Sequence, residues 1–380
     1  MSKHAPCSPS SSFRWTKCTK SARINAEADD RGSPYAQQGT DAHSLCEHLV
    51  KKALKRKSRD PTEDLAWYDQ EMQECAEGYR DFVMESIEDI KKSCPDPYIG
   101  IEQHLDFSEW VPEGYGTGDC TLVADGTAHI IDFKYGIGLP VKAAENTQLM
   151  CYGLGVLETF GNLYSIQRIR LSIYQPRREN IDTWEISTEN LLKWAEEILK
   201  PAAKLAYAGE GEYKAGDHCI FCRIKDTCRE RADYYMELMK HELEDPAELT
   251  DDEIALILPK VESLVGWAAD LKEYALQQAL SGRKYKGFKV VEGRATRKYT
   301  DEAKVADVVE KAGYDPYERK VLGITAMSKE LGKKKFDELL GGLVYKPKGK
   351  PVLVADDDKR PEYSNVTIED FNDKQEVKSC

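Results

Sequence analysis

The chain has no run of about 18 apolar residues, so a transmembrane helix is not expected. Its start shows neither the basic nor the apolar region of a secretory leader, which makes the cytoplasm the expected compartment. No internal repeat is visible, and no G-x-x-x-x-G-K-[ST] loop, so nothing points to a P-loop motor. Positive charge is not in excess. A formal charge of −13 argues against a surface coated in basic residues, although a local groove can still bind DNA. What is present is 380 residues, enough for two or three domains, with 41% hydrophobic and 32% charged side chains to build and solubilise a core. Eleven cysteines without a leader point to a reducing compartment, and to metal or cluster ligation rather than disulfides.

The informative stretch is Gly118 to Lys134. Two β-rich arms flank Asp125-Gly126, a strong two-residue hairpin signal. With that tip, Ala124 pairs with Thr127, and counting outward sets Asp119 opposite Asp132. Cross-strand partners share a face, with Cβ atoms roughly 5 Å apart. Lys134 shares that face too, two residues beyond Asp132. Two carboxylates this close repel unless a proton or a cation lies between them, and a hard divalent metal suits the gap. A pair of Asp residues on a solvated strand would need no such explanation. Here the apolar approach His129-Ile130-Ile131 suggests a buried strand, and a lysine joins the acids.

The rest of the chain sets this hairpin in an α/β frame. A short helix begins near Phe13–Cys18, and helical patterns cover about 33–57 and 62–93. Strands are expected over 98–107, 116–124, 127–134 and, briefly, Leu139-Pro140-Val141. A helix follows from about 143 to 160, then strands at 167–174 and 181–186 and a helix at 188–208. The order helix, three strands, helix, strand predicts a mixed sheet flanked by helices, α-βββ-α-β. The first domain is expected over 1–235, a helical connector with a break near Asp245-Pro246 over 236–282, and a small basic and helical module over 283–380 with a loose tail. Its basic stretch 283–298, with Tyr285 and Phe288 interleaved, is a solvated face or a nucleic-acid contact.

Three further sets carry chemistry. Gln148 and Tyr152 stand four apart on one helical face. His43 lies in Gly39-Thr40-Asp41-Ala42-His43 on a predicted helix. Cys219-x2-Cys222-x5-Cys228 supplies three soft ligands, and zinc or an iron–sulfur cluster needs a fourth. Cys18 is the expected fourth, with Cys7 the fallback, and spacing does not separate the two metals.

Together these residues resemble the PD-(D/E)XK nuclease superfamily in its RecB-like branch. Gly118-Asp119 and Asp132-Phe133-Lys134 look like the two acid motifs, Gln148-x3-Tyr152 like the QxxxY motif, and Gly39-x3-His43 like the GxxxH motif. Glu102, on the strand before the hairpin, sits where some relatives have another acid. The cysteine spacing is similar to that of the [4Fe-4S]-clasped domains of AddB and CRISPR-associated exonucleases. The match is closer still to a phage and prophage family catalogued as a domain of unknown function. Trp110 to Asp119, Asp132 to Gly136 and Gln175-Pro176-Arg177 carry it, firmly over about 4–235.

The resemblance implies a restriction-endonuclease-like fold and a DNA exonuclease using Mg²⁺ or Mn²⁺, active in phage recombination, replication or repair within a bacterial cell. His43, Asp119, Asp132 and the Phe133 carbonyl would hold the metal. Asp119, Asp132 and Lys134 would be catalytic, and Gln148 and Tyr152 would contact DNA. Cys18, Cys219, Cys222 and Cys228 would ligate a [4Fe-4S] cluster, or Zn²⁺ as the alternative. The implied substrate is single-stranded or end-containing DNA, with phage single-strand-binding or recombination proteins as partners and no membrane. Two rival readings are a catalytically silent DNA-binding or scaffold subunit and a zinc-stabilised structural protein. The complete Asp119, Asp132 and Lys134 set argues against silence, because a silent subunit has no chemical need of all three.

Overall fold

The computed structural model describes residues 6–28, 34–237, 250–292, 299–317 and 321–345. By its contacts the chain divides into two units, Met1–Gln278 and Ala279–Cys380.

In the first unit, α1 (Ser12–Trp15) and α2 (Ser21–Glu27) lead to two long helices, α3 (Pro34–Ala53) and α4 (Gln70–Lys91). The sheet follows: β1 (Tyr98–Asp106), β2 (Tyr115–Ala124) and β3 (Gly126–Phe133), then α5 (Thr147–Phe160), β4 (Ile166–Gln175) and β5 (Asn180–Ser187). Its strand order is β1-β2-β3-β4-β5, with only the β3–β4 pair parallel. The parallel step exists because α5 carries the chain across between β3 and β4, as a parallel pair requires. The protein is therefore α/β, with a five-stranded mixed sheet flanked by helices.

Two cores cover the two faces. Leu45, Val50, Met72, Tyr79, Val83 and Ile87 of α3 and α4 pack with Leu122, Ile131 and Phe133. Leu149, Tyr152, Leu154 and Val156 of α5 pack with Val123, Ile130, Ile169 and Leu171 on the other face. Alternate residues of one strand thus feed opposite layers, as a doubly covered sheet demands.

After β5, α6 (Thr188–Trp194), a π turn (Ala195–Leu199) and α7 (Lys200–Ala208) run on as one helical stretch. Pro201 lies in the first turn of α7, where no i−4 carbonyl partner can be given, so the π turn absorbs the break. A 3₁₀ turn (Asp217–Phe221), α8 (Arg229–Met236) and α9 (Asp251–Leu280) follow. Asp270 of α9 accepts from Lys225 Nζ at 2.6 Å and Arg231 Nη1 at 2.9 Å, which ties α9 to the cysteine segment. Described helices of the second unit are α10 (Glu302–Lys311), α11 (Ile324–Leu331) and α12 (Lys333–Leu340).

Several expectations need correction. Leu139-Pro140-Val141 is not a strand, because the Gln175 side chain takes up the backbone groups a neighbouring strand would bond. The helix expected from 62 starts at Gln70, where Asp69 caps it by accepting from Met72 N at 2.8 Å. The helix α10 was not expected. The break near Asp245-Pro246, the basic residues 293–298 and the tail from 346 lie outside the described residues.

Candidate functional site

The hairpin has the counted register. Cys120 pairs with Ile131 and Ala124 with Thr127, so the next outward step brings Asp119 across from Asp132. Gly126 has φ 87°, the left-handed conformation that the tip requires and glycine accepts freely. On the other side of β2, Ile101 pairs with Cys120 and Gln103 with Gly118, leaving Glu102 opposite Asp119. Three carboxylates therefore run across β1, β2 and β3.

Glu102 is held at φ 52°, a costly conformation for a side-chain-bearing residue, on the order of 1–3 kcal/mol. Its effect is visible in the packing. Ile101 packs in the α3–α4 layer, whereas Leu105 lies in the α5 core, although an unbroken pleat would set both on one face. The strand changes face at Glu102, and this turn brings the carboxylate to Asp119.

His43 comes from α3. Its ring stands edge-on to Phe133 at 5.3 Å between centroids, and its Nδ1 lies 3.2 Å from Asp119 Oδ1. One ligand atom each from His43, Glu102 and Asp119 falls within a 4.8 Å group. The other Asp119 oxygen accepts from the Phe133 N–H at 2.7 Å, which fixes the carboxylate. Asn146 caps α5 by accepting from the backbone N–H of Gln148 (3.1 Å) and Leu149 (3.2 Å), setting that helix's first turn against the sheet. Gln148 then accepts from Lys134 Nζ at 3.1 Å and donates to Asp132 Oδ1 at 3.3 Å and to the Tyr152 hydroxyl at 3.1 Å. Lys134 Nζ is also 2.9 Å from Asp132 Oδ2, an ion pair.

The electrostatics fit a site short of positive charge. Burial, and then the Asp119 charge, raise Glu102 to about 7. Burial also raises Asp132, against the pull of Lys134. Burial would raise Asp119 as well, but the neighbouring His43 imidazolium reverses this and holds it low. His43 goes the opposite way: burial opposes its charge, Asp119 outweighs that, and its pKa rises to about 8. Lys134 is kept charged by Asp132 despite burial. Three acids beside a protonated histidine, with ligand atoms of His43, Glu102 and Asp119 drawn together, form a donor set that suits a hard divalent cation.

A second set gathers elsewhere in this unit. Cys18, Cys219, Cys222 and Cys228 line one cavity, together with Arg14, Lys214, Lys225 and Arg231. Cys7 is absent from that lining and lies in the α5 core. Asn25 Nδ2 donates to Cys222 Sγ at 3.3 Å and the Lys214 N–H to Cys18 Sγ at 3.4 Å. Burial raises the Cys219 thiol. The Arg231 Nε is buried without a hydrogen-bond acceptor. Four thiols, surrounding cations and an orphaned donor suit an anionic, sulfur-rich group.

The chain belongs to the family described as "Protein of unknown function (DUF2800)". That family's model matches residues 4–361. A solved structure titled "Crystal structure of SSO0001" is similar over 49% of this chain and 95% of that one, at 14% identity and a TM-score of 0.21.

Every expected site residue lies in one of these two sets. Phe133 enters through its N–H and its ring. The residue that sequence reasoning undervalued is Glu102. Its signal was the register: the strand 98–107 pairs next to the hairpin, and an acid in it can meet Asp119. What no pattern showed was the backbone inversion that turns it inward. The amide of Gln148, expected to face DNA, is engaged within the site.

Proposed function

We propose that this protein is a metal-dependent deoxyribonuclease with a restriction-endonuclease-like, PD-(D/E)XK core, working as an exonuclease on DNA ends or single strands in phage recombination, replication or repair. The observation that carries the reading is the junction of His43, Glu102 and Asp119 with the Asp132–Lys134 pair on one sheet. His43, Glu102, Asp119 and Asp132, with the Phe133 carbonyl, would hold Mg²⁺ or Mn²⁺. A cation bound there supplies Lewis acidity toward a phosphodiester and makes water a better nucleophile at neutral pH. His43 would bind such a cation as the neutral imidazole, and the acids that now serve as its counter-charge would be its fellow ligands. Lys134 brings a fixed ammonium to the point where negative charge grows on phosphorus. Gln148 is a positioning residue: it orients the Lys134 ammonium and the Asp132 carboxylate together, and Tyr152 orients Gln148. The four cysteines would hold a [4Fe-4S] cluster, with Zn²⁺ the other ion that this donor set suits. Such a cluster ties residue 18 to residue 228 and supplies structure rather than chemistry.

The test is digestion of end-labelled DNA with Mg²⁺ or Mn²⁺. Wild-type protein should release nucleotides only with the metal. Asp132→Asn and Lys134→Ala should lower the rate by about a hundredfold or more while melting like the wild type. Glu102→Gln should raise the metal concentration needed for half-maximal rate. Undiminished digestion by Asp132→Asn would overturn the assignment.

A further inference from the structure

Between Lys134 and Gln148, both in the site, the chain makes a loop whose first part is apolar in sequence and exposed. Residues 136–140 read Gly-Ile-Gly-Leu-Pro and all are exposed, with Ile137 at 54% and Leu139 at 74%. Leaving two large aliphatic side chains in water is unfavourable, by about 1.5–3 kcal/mol each relative to burial. A loose loop could fold them back. This loop is instead pinned. Gln175, only 2% exposed, donates to the Gly136 carbonyl at 2.9 Å and the Leu139 carbonyl at 3.3 Å, and accepts from the Val141 N–H at 3.0 Å. Asn180 donates to the Val141 carbonyl at 2.9 Å, and Asp182 accepts from the Ala143 N–H at 2.8 Å. At its base, Tyr135 is buried beneath the Arg177 guanidinium, 4.8 Å from the ring centre. Three polar side chains from β4 and β5 thus fix a loop whose tip offers only apolar groups.

We propose that Ile137 and Leu139 form a wedge that presses between the terminal base pairs of a DNA duplex and delivers an unpaired strand to the adjoining site. This rests on the nuclease reading and names its substrate, a duplex end. Ile137 is three residues from Lys134, so their Cα atoms lie within roughly 11 Å of one another. Aliphatic side chains inserted at base steps unstack them without reading sequence, which suits an enzyme that must digest any end. A protein partner is the weaker fit. Two side chains between glycines offer far less than the roughly 800 Å² per partner of a stable interface.

The experiment uses full-length protein and the double variant Ile137→Ser/Leu139→Ser, whose sites are exposed and outside the core. Its first arm follows 2-aminopurine fluorescence at the terminal pair of a blunt duplex, bound by Asp132→Asn protein with and without the loop changes. Binding should brighten the probe, and the loop changes should abolish the brightening. In the second arm, the double variant in an otherwise wild-type chain should digest blunt duplex about tenfold more slowly, the size of one lost base contact, yet digest a single strand of the same sequence within about twofold of wild type. Rates unchanged from wild type on both substrates, or equal loss on both, overturn the wedge while leaving the nuclease reading intact. A wild-type protein that digests neither substrate with either metal overturns the nuclease reading itself.

Discussion

At the scale of single residues, His129 is buried without an ion-pair partner, unlike the titratable groups of the site. His129 sits on β3, three residues before Asp132, and bonds the Ser172 hydroxyl at 2.8 Å. Burial drives its pKa from the ordinary 6.5 down to about 3, and Arg170 adds to this, while Asp89 opposes weakly. The unfolded chain therefore binds a proton below pH 6.5 that the folded protein refuses until about pH 3. Stability should fall as pH drops through that window, by about 2 kcal/mol at pH 5 relative to neutral. Urea midpoints at pH 7 and pH 5 should show the loss in wild type and a much shallower loss in His129→Gln, which keeps a donor toward Ser172 without the titration. Identical slopes for both proteins would count against this.

Glu102 teaches the complementary lesson. Its number in the chain gave the right neighbour, yet its side chain is usable only because the backbone inverts at that position. An inversion of this kind comes from the surrounding strands over-determining one residue, so it leaves no trace in local composition.

At the scale of elements, α5 is the part whose placement matters most, because Gln148 and Tyr152 both ride on it. It is seated by its Asn146 cap at one end of the helix and by close packing along its length. Ser12 and Thr147 share a hydrogen bond of 2.6 Å between hydroxyls, so the N-terminal helix α1 touches the first residue of α5. At Gly116 on β2 there is no room for a side chain: a Cβ would meet Pro9 Cγ and Tyr152 Cε1, each at 2.7 Å. Gly116→Ala should therefore push Tyr152 and the N-terminal segment apart. We expect a stability loss of about 1–3 kcal/mol by chemical denaturation, the usual size for overpacking. Nuclease activity should fall with it, because Tyr152 holds Gln148. A variant as stable and active as wild type would show that this contact is slack.

The hairpin and the strands around it were legible because period-two patterning and an Asp-Gly tip are local signals. Leu139-Pro140-Val141 was misread for the same reason. It has a strand-like composition, but the bonds of its backbone go to the Gln175 side chain at the end of β4, which no local pattern records.

At the scale of the molecule, the cavity lined by the four cysteines brings residue 18, near the chain's beginning, together with residues 219–228, which follow the sheet. A cluster or zinc ion held by these cysteines would staple residue 18 to residue 228 and close a very long loop, the kind of closure that removes the most entropy from the unfolded chain. Protein purified without oxygen should be brown and carry roughly four irons per chain. Cys222→Ser should lose that iron and melt at a lower temperature. A colourless wild-type protein carrying one zinc per chain would replace the cluster with zinc and keep the staple. All residues of both sets fall in the unit Met1–Gln278. A chain ending at Leu280 should accordingly keep both its iron and its metal-dependent cleavage, and loss of cleavage alone would show that the second unit is needed for DNA.

The sequence by itself determined the hairpin, the facing of Asp119 and Asp132, the face of Lys134, and the α/β order, because each depends on spacing within one or two elements. It also set the three clustered cysteines apart from the other eight. Only the tertiary structure decided that His43 on α3 reaches Asp119, that Glu102 turns in to join them, that Cys18 rather than Cys7 lines the cysteine cavity, and that Gln148 binds Lys134 and Asp132. Each of those contacts joins segments distant in the chain, and distance along a chain is closed by packing, which no local pattern encodes.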